Sequence, residues 1–324
     1  MKNFKIILSA LLGIVFLYIS FKGIDFITPF KIAIKANVLL LILAVFMHCI
    51  NQAVRAERFR ILLNEPEFKF SDAYKVFWVG LLANYILPAR LGEFVRPAVM
   101  KKVYKTGFSR VLGAVFVERL FELSGQMTLF LFVALFINLP QYVKTAGIMV
   151  FCIYCISLTV IFLFNKKKNF FINLINFIFS KFPDFASKII HFFTYFIEGA
   201  SVIKDFKTFF KVFIFTIIAW GTSIFNIMMT VMALGLFLPQ PFISASFIQA
   251  AISVALVLPP PPGFIGTFHY FCKIGLEFFG IAAETAMSFG ILLHFMHMII
   301  TIAAGTLALM SLKLSFKNIL NKEE

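Results

Sequence analysis

The chain has 324 residues, of which 61% are hydrophobic, 17% aromatic and only 14% charged, and its formal net charge is +15. A soluble domain carries roughly a quarter charged residues, so the composition argues against a soluble globular enzyme and for an all-α, polytopic integral membrane protein. In such a protein an excess of Lys and Arg reports topology and contact with anionic lipid headgroups rather than nucleic acid.

Lys2 and Lys5 followed by the apolar run 6–21 resemble a signal peptide, but no small-x-small cleavage site follows, and a retained first span is expected. Further spans are expected over 36–54, 110–138, 145–165, 212–237 and 285–312, making six. Residues 55–75 read as a polar loop carrying Arg55, Arg58 and Arg60. Residues 166–211 read as a basic cytoplasmic loop in which Phe, Ile and Asn clusters alternate with lysines, the pattern of amphipathic helices on a membrane surface.

Two further apolar runs are too short to cross a bilayer, which takes about 20 residues in a helix. The first, 73–86, stops at Pro88 and Gly92 and resumes over 93–105; the second, 243–258, stops at four prolines (259–262) and Gly263 and resumes over 274–281. Proline removes a helical hydrogen bond and disfavours helical geometry in the residue before it. Irregular backbone at membrane depth is tolerated only inside protein or beside a watery cavity. Both units, about 73–105 and 243–281, therefore read as re-entrant hairpins within one domain covering 1–324.

Charge tests this topology. With both termini in the cytoplasm, the inside holds Lys2 and Lys5, nine basic residues between Arg55 and Arg110 outside the break, eight between Lys166 and Lys211, and three at the C-terminus. Outside lie Lys22, Lys31, Lys35 and Lys144. That asymmetry is the positive-inside pattern of a cytoplasmic-membrane protein. The two hairpins then enter from opposite sides, an arrangement that suggests an inverted repeat, although the two halves share little sequence.

Charges within spans are costly and should meet one another or a wet cavity. Arg90, Glu93 and Arg96 follow the first break; Glu118 and Glu122 share one helix face, which Gln126 continues, and Arg119 lies beside it within reach of Glu122. These two sets are expected to meet with near-neutral balance, in a cavity whose arginines could hold a phosphate, or else as an ion-pair network pinning a re-entrant loop. Asn84, before the first break, reads more readily as a cap than as a ligand, and Asn226 as an interhelical hydrogen bond. The Pro259–Gly266 turn, with Pro262, Gly263 and Gly266, reads as a rigid tip or a cavity lining. His269 follows it, and His294 and His297 share a face of the last span, where histidine could relay protons or simply pack. Cys152 and Cys155 lie in an expected span with no partner at metal spacing, and no catalytic or nucleotide-binding motif occurs, so neither metal nor cofactor is expected.

The stretch Asn84-Tyr-Ile-Leu-Pro-Ala-Arg-Leu-Gly-Glu-Phe-Val-Arg96 resembles the signature of the lysylphosphatidylglycerol synthase transmembrane-region family, a flippase-like membrane domain. Val117-Glu-Arg-Leu-Phe-Glu122 resembles that family's next motif, which usually ends in Asp, and Pro262-Gly-Phe-Ile-Gly266 resembles its late proline–glycine turn. His269 stands about where the family often has Glu, and His294 about where Arg is common. The resemblance implies a membrane module without the cytosolic aminoacyltransferase domain of the full-length synthases, and hence no enzyme. It implies a module that moves lipids, with Asn84, Arg90, Glu93, Arg96, Glu118, Arg119, Glu122, Pro262, Gly263, Gly266 and His269 lining a headgroup site. Expected partners are membrane lipids, foremost anionic phospholipid. Two other roles are open: a non-transporting partner of a lipid-modifying transferase, with the basic loop 166–211 as its docking surface, and an embedded transferase using Glu118 or His269 as base.

Overall fold

The computed structural model describes residues 2–320 apart from 66, 88–90, 140, 142, 143, 146, 150, 153, 157, 158, 160–167, 181, 201–205 and 258–260. Its helices are α1 (Lys2–Phe21), α2 (Thr28–Ala33), α3 (Val38–Leu63), α4 (Phe70–Ile86), α5 (Gly92–Tyr104), α6 (Phe108–Phe136), α7 (Lys168–Ile178), α8 (Pro183–Ala200), α9 (Phe206–Ala233), α10 (Pro241–Val257), α11 (Thr267–Glu277), α12 (Ala283–Ser311) and α13 (Phe316–Leu320). A 3-10 turn at Pro262–Phe264 precedes α11. The described residues contain no strand. Among the described residues four helices, α3, α6, α9 and α12, are long and apolar enough to cross a membrane. The expected fourth span, 145–165, falls largely outside the described residues.

The short apolar runs break where proline and glycine require it. Helix α4 stops at Leu87, whose backbone is extended, as the residue before a proline prefers. Helix α5 starts at Gly92 and packs back along α4. Helices α10 and α11 form the second such pair. Here α11 begins at Thr267 rather than near Ile274, so His269 belongs to a helix and not to the turn. Gly266 takes φ 93° and ψ −68°, a region L side chains rarely adopt. A side chain there would also run into the Gly13 carbonyl of α1, so this glycine lets α1 lie against the second break. The two breaks meet: the Tyr85 ring at the end of α4 lies 5.8 Å from that of Phe264.

The polar loop expected over 55–75 is corrected by the structure. Asn37 accepts from the Leu40 N–H and caps α3, and the helix runs through Arg55, Arg58 and Arg60 to Leu63, ending at Asn64 with φ 50°. The arginines do not end the helix because Arg55 and Arg58 find carboxylates on α6, while Phe59, Leu62 and Leu63 enter the core. Asp25, in the loop after α1, accepts from the Thr28 hydroxyl and backbone N–H; the hydroxyl bond holds its carboxyl below the ordinary range. Helices α7 and α8 lie in the stretch expected to be amphipathic, and α8 packs along α6.

Helix partnerships recur between the halves. α3 and α9 run antiparallel along each other, joined by Asn226 Nδ2 donating 2.6 Å to the Ala44 carbonyl and Asn51 Nδ2 donating 2.5 Å to that of Ala219. Around them α4 packs on α12 as α10 packs on α6, α3 on α4 as α9 on α10, and α5 on α6 as α11 on α12. The large apolar residues left outside these contacts, such as Leu39, Ile42 and Phe46 on α3 and Phe295, Ile299 and Ile302 on α12, are exposed.

The α4–α5 pair depends on Gly92. Any Cβ there would strike the Gly80 carbonyl and the Asn84 amide. We expect Gly92→Ala to cost about 1–3 kcal/mol, as overpacking does, read as a lower thermal midpoint in detergent. Gly221→Ala on α9, where a Cβ meets nothing within 4 Å, should leave the midpoint unchanged or raise it.

Candidate functional site

Arg96 follows Gly92 by one turn of α5. Its methylenes pass over Gly80, where a Cβ would come within 2.5 Å of Arg96 Cγ. Its guanidinium lies 4.8 Å from the Phe59 ring centroid and 5.2 Å from that of Phe77, a cation–π setting. From there Arg96 Nη1 donates 2.7 Å to Glu118 Oε2. Arg119 Nη2 donates 3.0 Å to Glu118 Oε1, and its Nε stands 3.6 Å from Glu93 Oε1. Arg58 Nη2 lies 3.5 Å from Glu118 Oε1, pairs with Glu122, and its Nη1 donates 3.1 Å to the Thr216 hydroxyl. Arg55 Nη2 completes the chain at 2.8 Å from Glu122 Oε2.

The two charged groups of the sequence thus do meet, but with a different membership. Arg119 turns to Glu118 and Glu93 rather than to Glu122, which takes both α3 arginines. The described network holds four arginines against three glutamates, one guanidinium in excess. Arg58 and Glu118 have fully buried side chains, whereas Arg119 is 28% and Arg55 24% exposed. The buried pairs hold α3, α5 and α6 together; the exposed arginines present charge.

They present it to a cavity of about 620 Å³ bounded by α3, α4, α5, α6, α9, α10, α11 and α12. Arg55, Glu93, Arg96, Arg119 and Glu122 line one end. Farther along α3 and α9 the wall is neutral and polar: Asn51, Gln52, Ser223 and Asn226, with Gln126, Gln249 and Ser253 opposite. Gln249 accepts from Ser223 at 2.5 Å and donates to Ser253 at 3.3 Å. Beyond these come His48, His294 and His297.

Of the residues the sequence singled out, Asn84, Glu93, Arg96, Arg119 and Glu122 reach the cavity wall. Glu118 is corrected to a place behind the wall, holding the arginines rather than facing the space. Gly263 lies off the wall, where its carbonyl accepts from His294 Nε2 at 2.6 Å. His269 lies behind His294, their ring centroids 4.7 Å apart. Gly266 sits against α1, and Pro262 opens the 3-10 turn. Arg90 lies outside the described residues. The sequence reading missed Arg55, Arg58, Asn51 and Gln52 as site residues. Their signal was present: His48, Asn51, Gln52, Arg55 and Arg58 recur at spacings of three and four, one polar stripe on an apolar helix.

A family comparison matches the lysylphosphatidylglycerol synthase TM region to residues 6–305. The chain belongs to this family. Comparison with curated proteins and with solved structures finds no match. As a member of the lysylphosphatidylglycerol synthase TM region family the protein is a membrane protein, and the match covers the membrane region rather than a catalytic domain. It takes in both broken helix pairs, the charged network and the histidines.

Removing one partner of a buried ion pair strands the other, at about 3–5 kcal/mol. Arg58→Ala takes a fully buried partner from both Glu118 and Glu122, which keep Arg96, Arg119 and Arg55, and should still lower the thermal midpoint clearly. Arg60→Ala, two residues on, breaks only a half-exposed pair with Glu57 and should cost under about 1 kcal/mol.

Proposed function

We propose that the protein is a flippase-like lipid translocator of the cytoplasmic membrane, moving an anionic or modified phospholipid or glycolipid headgroup through the cavity. In this reading six spans and two re-entrant hairpins form an inverted repeat, with both termini cytoplasmic and the hairpin tips meeting mid-membrane. Acyl chains stay in the bilayer while the headgroup passes between the halves.

The observation that carries this reading is the excess, among the described residues, of guanidiniums over carboxylates at one end of a polar cavity. Arginine engages phosphate through paired N–H donors. Arg119 and Arg55 are the partly exposed members and would contact the phosphate first, Arg96 standing behind them. The amide and hydroxyl wall offers donors and acceptors that a headgroup can exchange for water as it moves. The antiparallel packing of α3 on α9 and the recurring partnerships around them support two halves able to open alternately.

The test is reconstitution into phosphatidylcholine vesicles carrying a trace of fluorescent phosphatidylglycerol, with a leaflet-resolved quenching assay. Wild type should accelerate movement between leaflets, and Arg119→Ala should slow it about tenfold or more, the loss of one charge-assisted contact. Equal rates for protein-free vesicles, wild type and Arg119→Ala would overturn the translocation reading. The cavity would then suit a non-transporting partner of a lipid-modifying transferase.

A further inference from the structure

Four of the five histidines in the chain gather at the uncharged end of the cavity. His48 of α3 and His297 of α12 stack with centroids 3.9 Å apart and planes 18° from parallel. His294 stands one turn from His297 on α12, and His269 of α11 lies 4.7 Å beyond it. His48, His269 and His294 are buried.

Their hydrogen bonds define which nitrogens are open. His294 Nε2 meets the Gly263 carbonyl at 2.6 Å, an acceptor only, so this nitrogen carries a hydrogen. His297 Nε2 meets Asn226 Oδ1 at 3.1 Å, and Asn226 is held that way round because its Nδ2 donates to the Ala44 carbonyl. Both rings therefore donate from Nε2 whether neutral or charged, and Nδ1 is where a proton would be gained. A charged ring stacked on a neutral one is attractive, while two charged rings at this distance repel, so the His48–His297 pair takes at most one proton beyond those of the neutral rings. The other titratable or charged groups around the row are Arg55 on α3, Tyr85 on α4 and Cys272 on α11. Among the described residues no carboxylate pairs with any of the four rings.

The row also has a structural counterpart. His269 and His294 stand on α11 and α12 as Glu93 and Glu118 stand on α5 and α6, with the same number of residues between the members of each pair. The second half thus carries imidazoles where the first carries the ion-pair network. An anionic headgroup leaving the arginines along the neutral wall meets, at this end, imidazoles, which become cationic by taking a proton.

We propose that His48, His294 and His297, backed by His269, form a proton-binding site that takes up one proton as an anionic headgroup arrives, so that lipid movement is coupled to proton movement. This rests on the translocation reading, and the phosphate need not come from a lipid of one type. In the first arm, short-chain phosphatidylglycerol is added to the detergent-purified protein in weak buffer with a pH dye, inorganic phosphate being added in parallel. Wild type should absorb about one proton per phosphatidylglycerol bound, with log affinity falling about one unit per pH unit. Uptake with phosphate as well would assign the site to the phosphate group alone; uptake with lipid only would assign it to the whole headgroup. His297→Gln keeps an amide for Asn226 and, if it remains monodisperse, should bind without uptake; His294→Gln is the second variant if it does not.

In the second arm the vesicle assay is run between pH 5.5 and 8. Wild type should move the fluorescent lipid faster as pH falls, and His297→Gln should flatten the profile. Binding or transport with no proton uptake and a flat wild-type profile overturns the proton-binding site and leaves translocation standing. Loss of both binding and transport in wild type overturns the translocation reading, and this inference with it.

Discussion

The structure depends on the placement of one carboxylate. Glu118 sits mid-helix on α6 with no exposed surface, and three guanidiniums from α3, α5 and α6 itself converge on it. An isolated buried charge costs several kcal/mol even after the protein relaxes, so none of these side chains can be where it is without the others. The consequence is geometric. The broken pair α4–α5 packs Val76, Trp78, Val79, Val99 and Met100 into the core, and Arg96 adds an ionic tie to α6 where Arg58 brings α3 to the same place. Gly80 and Gly92 permit this closeness by leaving room for the Arg96 stem and for the α4–α5 approach. Charge satisfaction and backbone proximity are one constraint: replacing either glycine displaces the arginine that the carboxylate requires.

The same constraint separates structural charge from available charge. Arg58 and Arg96 are consumed by their carboxylates and packed against Thr216, Phe59 and Phe77. Arg55 and Arg119 share carboxylates with them but keep a quarter or so of their side chains open. The network therefore does not present a neutral face to the cavity. It offers guanidinium charge already held in place by Glu118 behind the wall and by Glu93 and Glu122 within it, so the donors are oriented before an anion arrives.

Much of this was legible in the residues. Pro88 with Gly92, and the four prolines before Gly263, mark both interruptions within a few positions of where the helices stop. The spacing of Glu118 and Glu122 placed them on one face, and Asn226 does bond across to α3. What failed was the end of α3. Arg55, Arg58 and Arg60 looked like a loop because charge usually ends an apolar helix, and only long-range pairing with α6 reverses that rule. Their three- and four-residue spacing with His48 and Asn51 was the available clue. The partners of Arg119 could not be read either: Glu122 is near in sequence, but Glu93 arrives from α5 through a tertiary contact. The start of α11 shifted because Gly266, with its left-handed backbone, ends the turn and lets a helix begin at once.

The two halves repeat a frame and differ in chemistry. In each, a long helix is followed by a broken pair and a second long helix, and the partnerships among these elements recur. At matching positions beyond each break one half places glutamates held by arginines and the other places imidazoles. Arginine keeps its charge at any ordinary pH, since it does not lose its proton in proteins; an imidazole is neutral or cationic according to its surroundings. The cavity has guanidiniums at one end and imidazoles at the other, so its ends differ in chemistry within a frame whose helix partnerships recur.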